Sequence, residues 1–226
     1  NSINWARIAS QSVYFYWAYL QASQFDKKVN FIIPTGNFGN VYAAHTAGIM
    51  GLPINKLYVA TNSNDIMHRT IANGDMSLKD VKKTISPSMD IQISSNFERQ
   101  LFESLDYNSS KLSELMKSFM INKKYDLKGK IHNNLKLYYK SKGINDELTS
   151  KTIKEFYNKF NYTSDPHTAI SPFDINMAAD AGYEIIIPYT NVNLSDIKSL
   201  IQDAIFSRSI SNAKKTGIFI CGKDAS

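Results

Sequence analysis

The sequence predicts an α/β fold built on a parallel sheet, and two observations carry the prediction. The β-rich run Val29-Asn30-Phe31-Ile32-Ile33-Pro34 leads into a glycine-bearing loop, an apolar helical stretch from Val41 to Met50 and a second strand over 56–61, which is the β-loop-α-β unit of a parallel sheet. Near the other end, 183–188 and 216–221 read as buried strands with a helical stretch over 196–206 between them. Composition agrees, since 226 residues at 43% hydrophobic and 20% charged are enough to bury one or two cores.

Residues 5–24 place Trp5, Ile8, Val13, Phe15, Tyr16 and Tyr19 at mixed helical spacing, as in a long, largely buried helix. After the first strand the loop Thr35-Gly36-Asn37-Phe38-Gly39-Asn40 precedes the second helix, which Gly51-Leu52-Pro53 stops. Residues 62–100 read as loop-rich, broken by Asn62, Asn64, Asn73-Gly74, Pro87 and Ser94-Ser95-Asn96. Loops of that length in a compact domain tend to be functional. From Asn96 to Phe160 helical patterns dominate, divided at Lys128-Gly129 and Lys142-Gly143, as in a small helical insertion over about 100–162. After Asp165-Pro166-His167-Thr168-Ala169 the α/β pattern resumes, in what reads as a different sheet.

Several function classes lose support here. No run reaches the roughly 18 consecutive apolar residues of a membrane helix, and the start lacks the basic and apolar regions of a signal peptide, so a cytoplasmic protein with no membrane partner is expected. The single cysteine, Cys221, excludes an internal disulfide and a Cys-rich zinc site and is expected to be a small buried apolar residue; no metal is expected. A formal charge of +6 raises an anionic partner. The lysines concentrate over 117–159 with Tyr138 and Tyr139 among them, which brings in an RNA-associated protein as one reading. Without an arginine cluster or a binding motif, solvated helix faces are the preferred reading and no nucleic acid is expected.

In Gly36-Asn37-Phe38-Gly39-Asn40, two glycines three apart permit unusual backbone angles, so that successive N–H groups point into one anion-binding concavity at the start of a helix. A phosphate is the natural occupant. The spacing is neither GxGxxG nor GxxxxGK, which weakens the commonest nucleotide readings; a tight turn with no ligand stands beside the phosphate reading. At the start of the chain, Asn1-Ser2-Ile3-Asn4-Trp5-Ala6-Arg7 gathers amides, a hydroxyl and a guanidinium at the mouth of an apolar helix. A second anion site and simple capping by Ser2 or Asn4 both fit.

Taken together, NSINWAR (1–7), PTGNFGN (34–40), VATNSNDI (59–66), SPSMDIQISSNFER (86–99) and DPHTA (165–169) resemble the threonine synthases, pyridoxal-phosphate-dependent enzymes of the tryptophan synthase β-like, fold type II class. The resemblance implies a carbon–oxygen lyase of threonine biosynthesis that takes the small molecule O-phospho-L-homoserine to L-threonine and phosphate, with pyridoxal 5'-phosphate as electron sink. It places the cofactor phosphate at Gly36, Asn37, Phe38, Gly39 and Asn40 and the substrate phosphate at Ser2, Asn4 and Arg7. Asn62, Asp65 and the 94–99 segment match the family in type without an assigned step, and His167 stands between a general base and a structural residue.

Two departures accompany the resemblance. The family's Schiff-base lysine lies upstream of NSIN in sequence order, so no lysine of this chain is nominated as catalytic, and the chain is expected to be a fragment inactive alone. From Ser171 onward the sequence instead resembles the amino-terminal region of methylene-tetrahydromethanopterin dehydrogenase, an NAD(P)-linked enzyme, with its glycine motif expected beyond Ser226. The runner-up reading therefore takes the chain as a piece of that dehydrogenase. Residues 1–170 and 171–226 are expected to be two gene fragments joined near Ile170, by fusion or by assembly artefact, the second an incomplete α/β segment and less well ordered.

Overall fold

The computed structural model describes residues 4–22, 28–161, 163–171, 184–187 and 217–219. Seven helices and seven strands follow one another as α1 (Trp5–Ala22), β1 (Val29–Pro34), α2 (Gly39–Ile49), β2 (Ile54–Thr61), α3 (Ile66–Asn73), β3 (Asp75–Ser77), α4 (Phe97–Ser104), α5 (Ser109–Asn122), β4 (Lys124–Asp126), α6 (Gly129–Tyr138), β5 (Tyr139–Gly143), α7 (Asp146–Phe160), β6 (Glu184–Ile187) and β7 (Gly217–Phe219) among the described residues. The main sheet has the order β5-β2-β1-β6-β7, and every pairing in it is parallel. β3 and β4 form a separate antiparallel pair.

β1 is buried along its whole length, as expected of a strand covered on both faces. Alternation divides its side chains. Phe31 and Ile33 join Leu57 and Val59 of β2 in the larger core, where Phe15 of α1 meets Phe31 edge-on at 5.1 Å between ring centres. Ile32, Tyr58 and Ala60 turn to the opposite face and pack with Met89, Ile144 and Ile170. Pairing advances from Val29↔Ile54 to Asn30↔Lys56, leaving Asn55 as an extra residue, and Asn55 Nδ2 donates to the buried Asn30 Oδ1 at 2.9 Å.

Three expectations are corrected. The stretch over 62–100 contains α3, whose eight residues are too few to show a clear period, and Asn73-Gly74 is its stop rather than a break within a loop. Gly74 takes φ 75°, with its N–H donating to Thr70 O at 2.9 Å. The insertion is mainly helical but also supplies β4 and β5; the polar run Tyr139-Lys140-Ser141-Lys142-Gly143 is an edge strand beside β2, buried only at Tyr139. β6 and β7 extend the same sheet beyond β1, through Val29↔Glu184 to Phe31↔Ile186, rather than starting another. The helical stretch expected at 196–206, Cys221 and the order of the final segment as a whole lie outside the described residues. No helix among the described residues is long and apolar enough to cross a membrane.

Arg69 fastens α3 to the β3–β4 pair. Its guanidinium donates to Asp65 Oδ1 (2.9 Å), Asp75 Oδ2 (2.8 Å), Ser77 Oγ (2.8 Å) and Ser77 O (2.8 Å). Burial disfavours its charge, but the hydrogen bonds and charges of Asp65 and Asp75 outweigh that and leave its pKa raised. Arg69→Met would leave two carboxylates without their partner.

A side chain at Gly74 is strained by its positive φ and would run into the carbonyl of Leu127, which sits against the helix stop. Gly74→Ala is expected to lower stability by about 2–4 kcal/mol in urea unfolding, whereas Gly129→Ala, with φ 58° and open space around it, should lose only about 1 kcal/mol. Equal losses at the two positions would refute the clash.

Candidate phosphate-binding site

The loop between β1 and α2 begins where the parallel pairing ends. Thr35 N–H donates to Ala60 O at 2.9 Å, and Thr35 Oγ1 accepts the N–H of Phe38 at 3.1 Å, closing a tight hydroxyl-stabilised turn. The unusual backbone angle expected of the glycines belongs instead to Phe38, at φ 63° and ψ 9°; neither Gly36 nor Gly39 has a positive φ. A left-handed non-glycine residue costs about 1–3 kcal/mol. Packing offsets it here, because the Phe38 ring is fully buried edge-on to Phe97 (5.2 Å) and Tyr139 (5.5 Å). Tyr139 is itself fixed by its hydroxyl, which donates to Gln100 Oε1 at 2.5 Å, and burial pushes its pKa well above the ordinary phenol value.

The glycines serve a different purpose from the one expected. A Cβ on Gly36 would stand 3.2 Å from Met89 Cα and 3.3 Å from Ile91 Cδ1, so any side chain here would press the 89–91 backbone and side chains back by a few tenths of an ångström. At Gly39 a Cβ would meet Asn96 Nδ2 at 3.5 Å, Gln11 Oε1 at 3.6 Å and Ile8 Cδ1 at 3.8 Å, ordinary contacts around a small polar recess.

The loop's carbonyls are turned outward and used. Ser94 Oγ donates to Gly36 O; Asn96 donates to Asn37 O from both its N–H (3.0 Å) and Nδ2 (3.1 Å), and Ser95 Oγ reaches Asn37 Oδ1 at 3.4 Å. With the acceptors occupied, the recess faces the donor end of α2. Its first i→i−4 bond runs from Tyr42 N to Phe38 O at 2.9 Å, so the N–H groups of Gly39, Asn40 and Val41 have no acceptor within the helix. Its first turn carries no acidic residue. The helix dipole adds positive potential there, and the arrangement suits a phosphate.

The 82–92 segment under the loop is held by one carboxylate. Asp90 Oδ1 accepts from Asn62 Nδ2 (2.7 Å), Asn64 Nδ2 (2.9 Å) and Thr84 Oγ1 (2.6 Å), and its Oδ2 from Thr84 N (2.9 Å). Asn62 and Asn64 are buried, and Asn64 also exchanges bonds with the backbone of Lys82. Asn62 therefore has a structural role, as does Asp65 through Arg69. His167 accepts the Ser88 N–H at Nε2 (3.4 Å), which puts its proton on Nδ1 facing Asp165 Oδ1 at 3.2 Å. That tautomer ties the 165–170 turn to the 82–92 segment.

At the start of α1, Asn4 acts as the cap: its Oδ1 accepts the Ala6 N–H at 3.0 Å, and its carbonyl accepts from Arg7 N at 3.1 Å. Ile8 and Gln11 face Gly39, and Asn4 precedes Ile8 by one turn on the same stripe. Arg7 is half-buried, and Ser2 lies outside the described residues. Trp5 packs between Tyr42 (6.4 Å) and the Arg99 guanidinium, 5.6 Å from its ring centre. Sequence reasoning singled out the 94–99 segment without a role and passed over Thr35, Asp90 and Gln11. Nothing in the sequence of α1 sets Gln11 apart, since it lies between Ser10 and Ser12 and a second amide, Gln21, occupies the same helix.

Two measurements check this geometry. Asp90→Ala removes an acceptor shared by four donors and is expected to destabilise the fold by about 2–4 kcal/mol in urea unfolding, with faster amide exchange over 84–92; unchanged exchange there would refute the clamp. Burial raises the pKa of the Asp165 carboxyl, but bonds from the side chains and backbone of His167 and Thr168 outweigh that and hold it at about 2. Because the folded value lies below the ordinary one, its contribution is complete above about pH 4 and is lost as pH falls through about 2. An NMR carboxyl titration of Asp165 should show a midpoint near 2, and a midpoint near 4 would contradict the network.

Comparison with known proteins divides the chain. Residues 172–226 match the family model described as methylene-tetrahydromethanopterin dehydrogenase, N-terminal. Threonine synthase of Pseudomonas aeruginosa is 42% identical over 170 residues, covering 75% of this chain and 36% of that protein. The crystal structure of PLP-bound threonine synthase from Brucella melitensis superposes with a TM-score of 0.77 at 32% identity, over 99% of this chain and 41% of that one. Yeast threonine synthase gives 0.76 at 31% identity, over 97% and 50%. The chain spans about a third of the length of the curated relatives it matches. Over about residues 1–170, then, the chain is similar to the threonine synthases, and its fold is the type II architecture of those structural neighbours.

Proposed function

We propose that the segment up to about residue 170 is the cofactor-phosphate and substrate-phosphate portion of a pyridoxal-phosphate-dependent threonine synthase, acting on O-phospho-L-homoserine to give L-threonine and phosphate. The observation that carries this reading is the recess at Gly39, walled by Asn96, Gln11 and Ile8 at the open end of α2. The residues fit a phosphate in three respects: unused helix N–H groups, loop carbonyls already occupied, and a first turn free of carboxylates. Bound pyridoxal 5'-phosphate would supply the electron sink for proton transfers at the substrate.

Within this reading Gly36 permits the loop to lie on Met89, Asn37 and Phe38 shape it, and Gly39 and Asn40 present N–H donors to the cofactor phosphate. Asn4 and Arg7, with Ser2, hold the substrate phosphate; Arg7 offers a planar fork of donors suited to it. The family's Schiff-base lysine has no counterpart in the residues that carry the resemblance, and no lysine of this chain is proposed in its place. His167, engaged at both ring nitrogens, positions the 165–170 turn rather than moving a proton. The match at 172–226 favours a second reading for that stretch alone, as part of a pterin-linked dehydrogenase.

Calorimetric titration of the purified chain with pyridoxal 5'-phosphate should show binding, with no lysine adduct after borohydride treatment by mass spectrometry. Gly39→Val, which fills the recess, should weaken it about tenfold or more while leaving the circular-dichroism spectrum unchanged. A folded chain that binds no cofactor would overturn the proposal.

A further inference from the structure

Gln11 sits on the buried side of α1, is 5% exposed, and its Oε1 is fully buried without a partner among the described residues. It stands 3.6 Å from the position a Cβ on Gly39 would take, and so looks onto the first residue of α2. The next residue of that helix, Asn40, is 8% exposed and its Oδ1 is likewise buried without a partner. Buried amides are almost always paired, and an unpaired one beside unused helix N–H groups marks the place of a ligand or an ordered water. Gln11 belongs to α1, so its buried amide is an observation independent of the loop's own geometry. Gln11 also follows Arg7 by four residues and Asn4 by seven, which sets all three on one stripe of α1.

We infer that Gln11 forms a wall of the phosphate recess and contacts a bound phosphate monoester directly. The amide can present either end. Rotated about its last torsion, it places two N–H donors where Oε1 stands, and these meet phosphate oxygens alongside the N–H groups of α2. The recess at Gly39 and the Asn4–Arg7 end of α1 then form one continuous anion-binding surface, with Gln11 as the link. The inference rests on the reading of this loop as a phosphate site. It adds to that reading a side chain which takes part in binding and is not required for the fold.

The test uses the purified chain, Gln11→Met and Gln11→Glu, titrated separately with pyridoxal 5'-phosphate and with O-phospho-L-homoserine, with thermal midpoints taken in the absence of ligand. Gln11→Met keeps the length and removes the donors. It should weaken binding of at least one of the two about 5- to 20-fold while leaving the midpoint unchanged or raised, since an unpaired buried amide is lost. Gln11→Glu should weaken it more, about 50-fold or beyond, because a carboxylate then faces the phosphate. The ligand whose affinity falls identifies the phosphate that Gln11 touches. Unchanged affinity for both ligands in Gln11→Met, with or without a lower midpoint, would overturn the inference and leave the phosphate reading standing. A folded parent chain that binds neither ligand would overturn both.

Discussion

The approach of Gly36 to Met89 is the constraint from which the candidate site takes its shape. With no Cβ on Gly36, the loop backbone lies directly on the short 3-10 turn at Pro87–Met89, and the height of that turn sets the height of the loop. The turn in turn is fixed by Asp90, which gathers donors from the end of β2 and from Thr84. A chain of short contacts therefore runs from the sheet, through two buried asparagines and a carboxylate, to the underside of the phosphate loop. The links through Asp90 are polar contacts to buried or half-buried partners, where a misplaced group is expensive. That expense is what makes the loop's position well defined.

The same design separates the donors from the acceptors of the loop. Ser94 and Asn96 take the carbonyls on one side, Thr35 takes the Phe38 N–H, and what remains toward the recess is the positive end of α2. The two jobs fall to different segments: residues 94–97 position, residues 39–41 present. Phe97 unites them, since the ring following Asn96 packs on the ring of the left-handed Phe38. Backbone strain at Phe38 is thereby held by aromatic packing rather than relieved by glycine.

The sheet's first two strands, α1 and α2 were legible because their signals are local: a mostly apolar strand, an aromatic helix before it and a glycine loop after it. What was not legible depends on partners far away in the chain. β5 carries Lys140 and Lys142 in a strand buried only at Tyr139, so nothing in its own composition marks it as part of a sheet; it becomes one because β2 offers a free edge. α3 is short and preceded by Asn62 and Asn64, whose side chains serve the Asp90 clamp, so features that read as loop belonged to tertiary bonding. The glycine loop was expected between a strand and a helix and lies there, but the reason for its glycines was misread, because a sequence shows where glycine is and not whether it is there for its φ or for its missing Cβ. Gln11 was silent for a related reason: only burial distinguishes an amide awaiting a ligand from one in solvent.

The loop motif is five residues long, yet the bonds that shape it close over 58 and 59 residues, from Ser94 to Gly36 and from Asn96 to Asn37. In kinetic language the site has high contact order: its closure entropy must be met before any of its hydrogen bonds form. A nascent chain that has emitted β1, the loop and α2 holds the motif without its shape, and acquires the recess only after α4 has been made and docked. Occupancy by a phosphate would then reward the docked 94–97 segment as well as the loop, linking ligand binding to a non-local folding event.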